Sequence, residues 1–308
     1  MKIVSKYAKI ARNLSSLNWL STLALVVIGM IYGPSPASAT PILGPALATF
    51  AVLGADGSSG GVTNVPTSSI GGNLGSAPNP GVGGGYIFTS GSIQANTPLA
   101  QAAQLQLDAA IVAVNASGPG INVGNSSGGN LDAYQTFLGG SIGPGTFTVP
   151  AQAVNLAGDL FLNGGGSNTA VWNFLATSSL ITSTISNVFV TNVGDGAGVG
   201  IYWTVGSAAT LNGPTFAGNV LAHDLISSDG DLTVSCGRLL SAETQVTLIH
   251  DKISITGCQN TSGGYGEGVN IGSGGTGGSN GQTVPESATL TLLGIGLAGF
   301  GFARRRYS

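Results

Sequence analysis

The sequence is short of charge, histidine, cysteine and aromatic side chains, and each shortage excludes something. Only 7% of its 308 residues are Asp, Glu, Lys or Arg. The basic residues are also crowded into the two ends: Lys2, Lys6, Lys9 and Arg12 near the start, Arg304, Arg305 and Arg306 near the finish. Between Thr40 and Pro285 only Arg238 and Lys252 stand against eleven acids, a balance of −9 before histidine is counted. Such a body has no basic patch for a polyanion, so nucleic acid is not an expected partner. Its sparse negative charge favours solubility and tolerates dissolved cations.

Two histidines, His223 and His250, lack the spacing of a zinc finger and read as loop or surface residues. Asp195 and Asp229-Gly230-Asp231 do not build the six to eight oxygens of a calcium site. No metal or other cofactor is expected. So few Asp, Glu and His residues leave little material for acid–base chemistry, and no enzyme is expected. The formal G-x-S-x-G at Gly124–Gly128 lies in a Gly/Ser-rich loop rather than at a strand–turn–helix elbow. The formal G-x-G-x-x-G at Gly272–Gly277 has no strand before it and no helix after it.

What is abundant is glycine, 52 residues without a collagen period, which assigns it to turns and loops. The ends read differently from the body. Residues 1–39 have the layout of a secretory signal: a basic leader, the apolar run Trp19–Tyr32 and the small-residue pattern Ala37-Ser38-Ala39. A retained N-terminal anchor is the alternative. Residues 259–283 are nearly all Gly, Ser, Asn and Thr and read as a flexible linker.

The body, residues 40–258, reads as β-structure with one helix. Thr97 can cap that helix, Pro98 fits its first turn, and it runs to Asn115 before Gly118-Pro119-Gly120. Two apolar stripes, Ala102/Leu105/Ala109/Val112 and Ala103/Leu107/Ala110 with Ile111/Val114, predict a wide surface laid against a large core. From residue 147 short alternating strands recur. Tyr202, Leu221 and Leu240 stand at equal intervals, and the longer interval from Trp172 to Trp203 is assigned to a loop inserted at Thr191–Gly200. A period near 19 with glycine corners suggests stacked coils, a β-solenoid, with a β-sandwich as the competing architecture. Gly200–Ala222 reads as one full coil, with Trp203, Val205 and Leu221 inward. Cys236 and Cys258 are the only cysteines. In an oxidising compartment their pairing is the default, closing a loop of about 20 residues for about 3 kcal/mol.

Two resemblances sharpen these expectations. Val284-Pro285-Glu286-Ser287, the apolar run Ala288–Ala303 and Arg304-Arg305-Arg306 stand in the order of the PEP-CTERM sorting signal of Gram-negative bacteria, with Ser287 in place of the second proline. The resemblance implies export, an exosortase-type processing enzyme as partner, and membrane contact through a C-terminal apolar helix in residues 284–308 before processing.

The body resembles the bacterial ice-binding-like family over about Thr49–Ile255. The resemblance is carried by Phe50-Ala51-Val52-Leu53-Gly54, Gly72-Asn73-Leu74-Gly75, the alanine-rich helix Pro98–Asn115, Ala170-Val171-Trp172-Asn173-Phe174, Tyr202–Leu211, Phe216–Ala222, Gly237-Arg238-Leu239-Leu240-Ser241 and Val246-Thr247-Leu248. It implies a mainly β fold, an irregular right-handed β-solenoid with one long α-helix packed alongside. It also implies ice as a ligand, adsorbed to a flat face of small Thr, Ser and Ala side chains. Candidates for that face are Thr182, Thr184, Thr210, Thr215, Ser228, Thr233, Thr244 and Thr247, with Thr182, Thr184 and Ser186 alternating as on one strand. Ordinary β-favouring residues at exposed strand positions explain the same pattern. The other functional reading is an adhesive or structural cell-surface protein associated with extracellular polysaccharide.

Overall fold

The computed structural model describes residues 42–55, 61–150, 153–167, 169–193 and 199–255. The signal-like leader, Cys258, the linker and the sorting-signal segment lie outside the described residues, as does Asp195. No helix among the described residues is long and apolar enough to cross a membrane.

Every strand pair recorded between the named strands is parallel, and the strands stack as successive coils. Parallel strands need a crossover, and here the crossover is the rest of the coil. Each coil contributes to up to three sides. One side consists of Gly145–Val149, Val171–Ala176, Gly200–Val205, residues 219–222 and 238–241, Phe50–Gly54, Asn73–Ser76 and Ile93–Ala95, in that spatial order. A second side is a separate six-stranded sheet of three-residue strands. The third holds Ser68–Gly71, Tyr86–Ser90, Lys252–Ser254 and residues 215–217 and 233–235.

The spatial order is not the sequence order. Phe50–Gly54 inserts between residues 238–241 and Asn73–Ser76, so the beginning and end of the body share one end of the stack. Helix α1 (Pro98–Asn115) then carries the chain back along the stack. Its 18 residues span about 27 Å, five to six strand spacings. The Thr97 hydroxyl accepts from the Ala100 amide and starts the helix, as its sequence signals require.

Only one of its two apolar stripes is buried. Ala100, Ala103, Leu107, Ala110 and Val114 pack on Leu53, Leu175, Tyr202, Leu221 and Leu240, whereas Leu105 and Val112 are 74% and 69% exposed. The expectation that both stripes are covered fails because the helix is a cylinder with the sheet on one side only, and the other stripe turns to solvent. Two helix glutamines instead bond backbone groups beside the strands. Gln106 accepts from the Ala46 and Leu47 amides, and Gln104 donates to the Gly54 and Ser241 carbonyls. A second helix, α2 (Leu131–Phe137), is capped by Asn130.

The coil period is not constant. The register pairs Val149/Ala176, Phe174/Trp203, Trp203/Val220 and Val220/Leu239 mark two long coils followed by two much shorter ones. Tyr202 pairs with Asn219, not Leu221, and Trp172 pairs with Ile201. The two longer coils hold an extra strand pair, Leu160–Asn163 with Val188–Thr191, so the excess is more than an inserted loop. Leu221 is buried outside the coil, under α1, while Trp203 and Val205 are inside.

Aromatic rings fill the interior in a column: Phe147 on Phe174 at 5.4 Å, Phe174 on Trp203 at 4.0 Å, Trp203 on Phe216 at 5.1 Å. The sheet turns its corner at Gly218 (φ +102°) and Gly237, where the register between neighbouring strands shifts. A Cβ on Gly218 would strike Ile201, and one on Gly237 the Gly218 carbonyl, so these corners require glycine. Next to them Arg238 is 1% exposed, donating to Asn219 Oδ1 and the Ala48 carbonyl. Burial lowers its guanidinium to about 9, still charged at neutral pH.

Candidate functional site: a six-stranded side with an uncharged outward row

The six-stranded side is built, in spatial order, from Val62–Asn64, Val246–Leu248, Ile226–Ser228, Ala209–Leu211, Leu180–Thr182 and Val154–Leu156. Each strand has the same local logic. Side chains alternate across a strand, so the first and third residues enter the core and the middle one faces solvent. The outward row is Thr63, Thr247, Ser227, Thr210, Ile181 and Asn155 in continuous parallel register. The row is about 24 Å long, at a strand spacing near 4.8 Å. Thr63 Oγ1 donates to Thr247 Oγ1 at 3.2 Å, which fixes both rotamers. None of the six strands carries a charged residue.

The candidates named from sequence do not form one surface. Thr210 and Thr247 lie on the outward row. Thr182 and Ser228, one position along their strands, point inward at 2% and 7% exposure. Their hydroxyls secure the corners. Thr182 accepts from the Asn212 and Gly213 amides. Ser228 donates to Asp251 Oδ2 at 2.5 Å and accepts from Ile249 N. Thr184 is exposed, but in the turn after the strand ends at Thr182, and Ser186 is buried. The expected alternation of 182, 184 and 186 is therefore absent. Thr215 and Thr233 are register partners on the third side, beside Lys252, and Thr244 is a half-buried corner residue.

Sequence reasoning misses Thr63 and Ser227. Their signal is the triplet, apolar–Thr/Ser–any, seen at Val62-Thr63-Asn64, Ala209-Thr210-Leu211, Ile226-Ser227-Ser228 and Val246-Thr247-Leu248. Asp251, buried behind Ser228, also accepts from the Leu232 and Ile249 amides at 3.0 Å each. Desolvation raises its carboxyl above the ordinary value of 3.8, against the pull of those hydrogen bonds.

The remaining predicted features fall elsewhere. Cys236 is fully buried and disulfide-bonded. The G-x-S-x-G serine, Ser126, is exposed on a four-residue helical turn. His250 faces Asp231 at 2.6 Å on an exposed corner, and His223 lies between Asp224 and Glu243.

The Ice-binding-like family profile matches residues 57–254. An ice-binding protein of Nostoc sp. (strain HG1) is 31% identical over 237 residues, spanning 75% of this chain and 80% of that protein. One from Colwellia sp. is 29% identical over 250 residues, spanning 74% and 90%. Among solved structures, an ice-binding protein from the Antarctic ascomycete Antarctomyces psychrotrophicus superposes with a TM-score of 0.58 at 24% identity, covering 71% of this chain and 99% of that one. That likeness is of fold. With the profile covering most of the described body and the Nostoc relative aligned over three quarters of the chain, the protein belongs to the ice-binding-like family.

Proposed function

We propose that the protein is exported and adsorbs to ice through the six-stranded side. The observation that carries this reading is the in-register outward row, in which Thr63, Thr247, Ser227 and Thr210 follow one another at a constant strand spacing with no charge among them. Rows of hydroxyls and methyls at one repeat, on a surface too rigid to rearrange, hold the first water layer in an ordered array. A charge would instead orient water around itself. The relatives named as ice-binding proteins support the reading.

Within it, the coil is right-handed, the leader of residues 1–39 is a signal peptide, and Cys236 pairs with Cys258. The tail from Val284 to Arg306 serves an exosortase-type enzyme, which places the mature protein at the surface of a Gram-negative cell or beyond it. Crystal growth in the presence of purified protein is the test. The wild type is expected to show thermal hysteresis and to inhibit recrystallisation. Thr210→Tyr with Thr247→Tyr should abolish most of both, because two rings lift the row off a lattice plane. Thr233→Tyr, on the third side, should leave both intact. A wild type without either activity overturns the reading, as does a Thr233→Tyr variant that loses what the double variant keeps.

A further inference from the structure

We infer that His223, Asp224 and Glu243 form a divalent-cation site of the zinc class at the corner between two successive coils. His223 and Asp224 leave the strand Thr215–Ala222; Glu243 leaves Thr233–Ser241, its neighbour in the stack. The corners are zipped by the backbone, with Glu243 N donating to the His223 carbonyl at 3.0 Å and Ser241 Oγ donating to the Asp224 carbonyl at 2.7 Å. That pairing brings donors from two different coils to within 4.8 Å of one another.

Two features point to a cation. First, both imidazole nitrogens face carboxylate oxygens: Nδ1 to Asp224 Oδ1 at 3.3 Å and Nε2 to Glu243 Oε1 at 3.2 Å. A ring nitrogen and two carboxylates, the donor types a zinc-class ion takes, thus stand together on one corner. Second, no lysine or arginine among the described residues pairs with these two acids, since Arg238 is buried with Asn219 and Ala48 and Lys252 lies on the third side.

The separations suit the ion. Two ligands about 2.1 Å from a tetrahedral zinc stand about 3.4 Å apart. One ring nitrogen and one carboxylate already stand at that distance, and the other carboxylate, on an exposed side chain, rotates in. The nitrogen donor favours a zinc-class ion over calcium. The three side chains are 43–61% exposed, which leaves water free to take the remaining coordination positions. The bound ion would staple two corners at the edge of the outward row.

The test is calorimetric titration of chelator-stripped full-length protein with Zn²⁺. The wild type is expected to bind a single equivalent saturably and to melt at a higher temperature when loaded. His223→Ala should lose both effects, and Glu243→Gln should bind about tenfold more weakly. His250→Ala, which alters the other exposed His–Asp pair, should behave as wild type. All these side chains are exposed, so unchanged circular dichroism checks that the variants fold. Absence of saturable binding, or equal binding by His223→Ala, overturns the proposal. Neither readout involves ice.

Discussion

The helix-covered side and the six-stranded side are made by the same coils, and they differ in what the outward residues meet. On the covered side the strand Gly200–Val205 is buried along its whole length, and the outward positions form the register ladder Leu53, Leu240, Leu221, Thr204 and Leu175 under α1. The one hydroxyl in that ladder, on Thr204, is satisfied by Asn115 Oδ1 at 2.8 Å. On the six-stranded side the outward row is open to solvent, and threonine, serine and asparagine, with one isoleucine at Ile181, stand where leucine stands opposite. The inward residues are mostly apolar on both, with Asn64, Thr182 and Ser228 as the polar ones on the six-stranded side. A parallel coil thus separates its two tasks: inward positions hold the fold, and an outward row is free to be chosen for what it touches.

Moving ladder chemistry to the wrong side is the strongest way to break that comparison. Leu240→Thr removes buried methylenes and places an unpartnered hydroxyl beneath α1, and it should destabilise the protein by about 3 kcal/mol. Urea unfolding with an unchanged slope measures it. A loss below about 1 kcal/mol would mean that the helix and sheet relax into the gap.

A smaller effect is expected behind the row, where Asp251 links the corners of the six-stranded side. Its carboxyl is held above its ordinary value of 3.8 by burial. The sign follows from linkage. As pH rises through 3.8 the unfolded chain gives up its proton while the folded one keeps it, so stability falls until pH passes the folded value, then levels. Asp251→Asn should cost about 1–2 kcal/mol through one mismatched amide contact. It should also remove that portion of the pH dependence, so the advantage of the wild type over the variant shrinks as pH is raised from acid toward neutral. An advantage that grows with pH contradicts the assignment.

The two sides are unequally legible in the sequence, for a physical reason. The helix announces itself at both ends, because Thr97, Pro98 and the Gly118-Pro119-Gly120 stop act locally. The coils are visible as alternation, but not in their register. Gly218 bulges the strand and successive coils differ in length, so equal spacing in sequence does not mean pairing in space. Hydroxyls are harder still. In a three-residue strand a threonine is outward or inward by one position, and Thr182 and Ser228 are inward because the next corner needs their hydrogen bonds. The His223–Glu243 juxtaposition depends on which corners stack, which composition and motif spacing do not encode.

The smallest effect concerns the stripe of α1 that faces away from the sheet. If the covered side is held only through Ala103, Leu107, Ala110 and Val114, then Leu105 and Val112 contribute little to stability in spite of their chemistry. Glutamine has a helix propensity close to that of leucine and better than that of valine. Leu105→Gln with Val112→Gln should therefore change stability by no more than about 0.5 kcal/mol and leave ice activity untouched. Thermal unfolding and hysteresis of the double variant check both. A loss of about 2 kcal/mol or more would place the second stripe in a buried contact after all, because deleting that much buried apolar surface is what such a loss requires. The helix would then be covered on two faces, and the contrast between a packed side and an open side would no longer account for where the hydroxyl row lies.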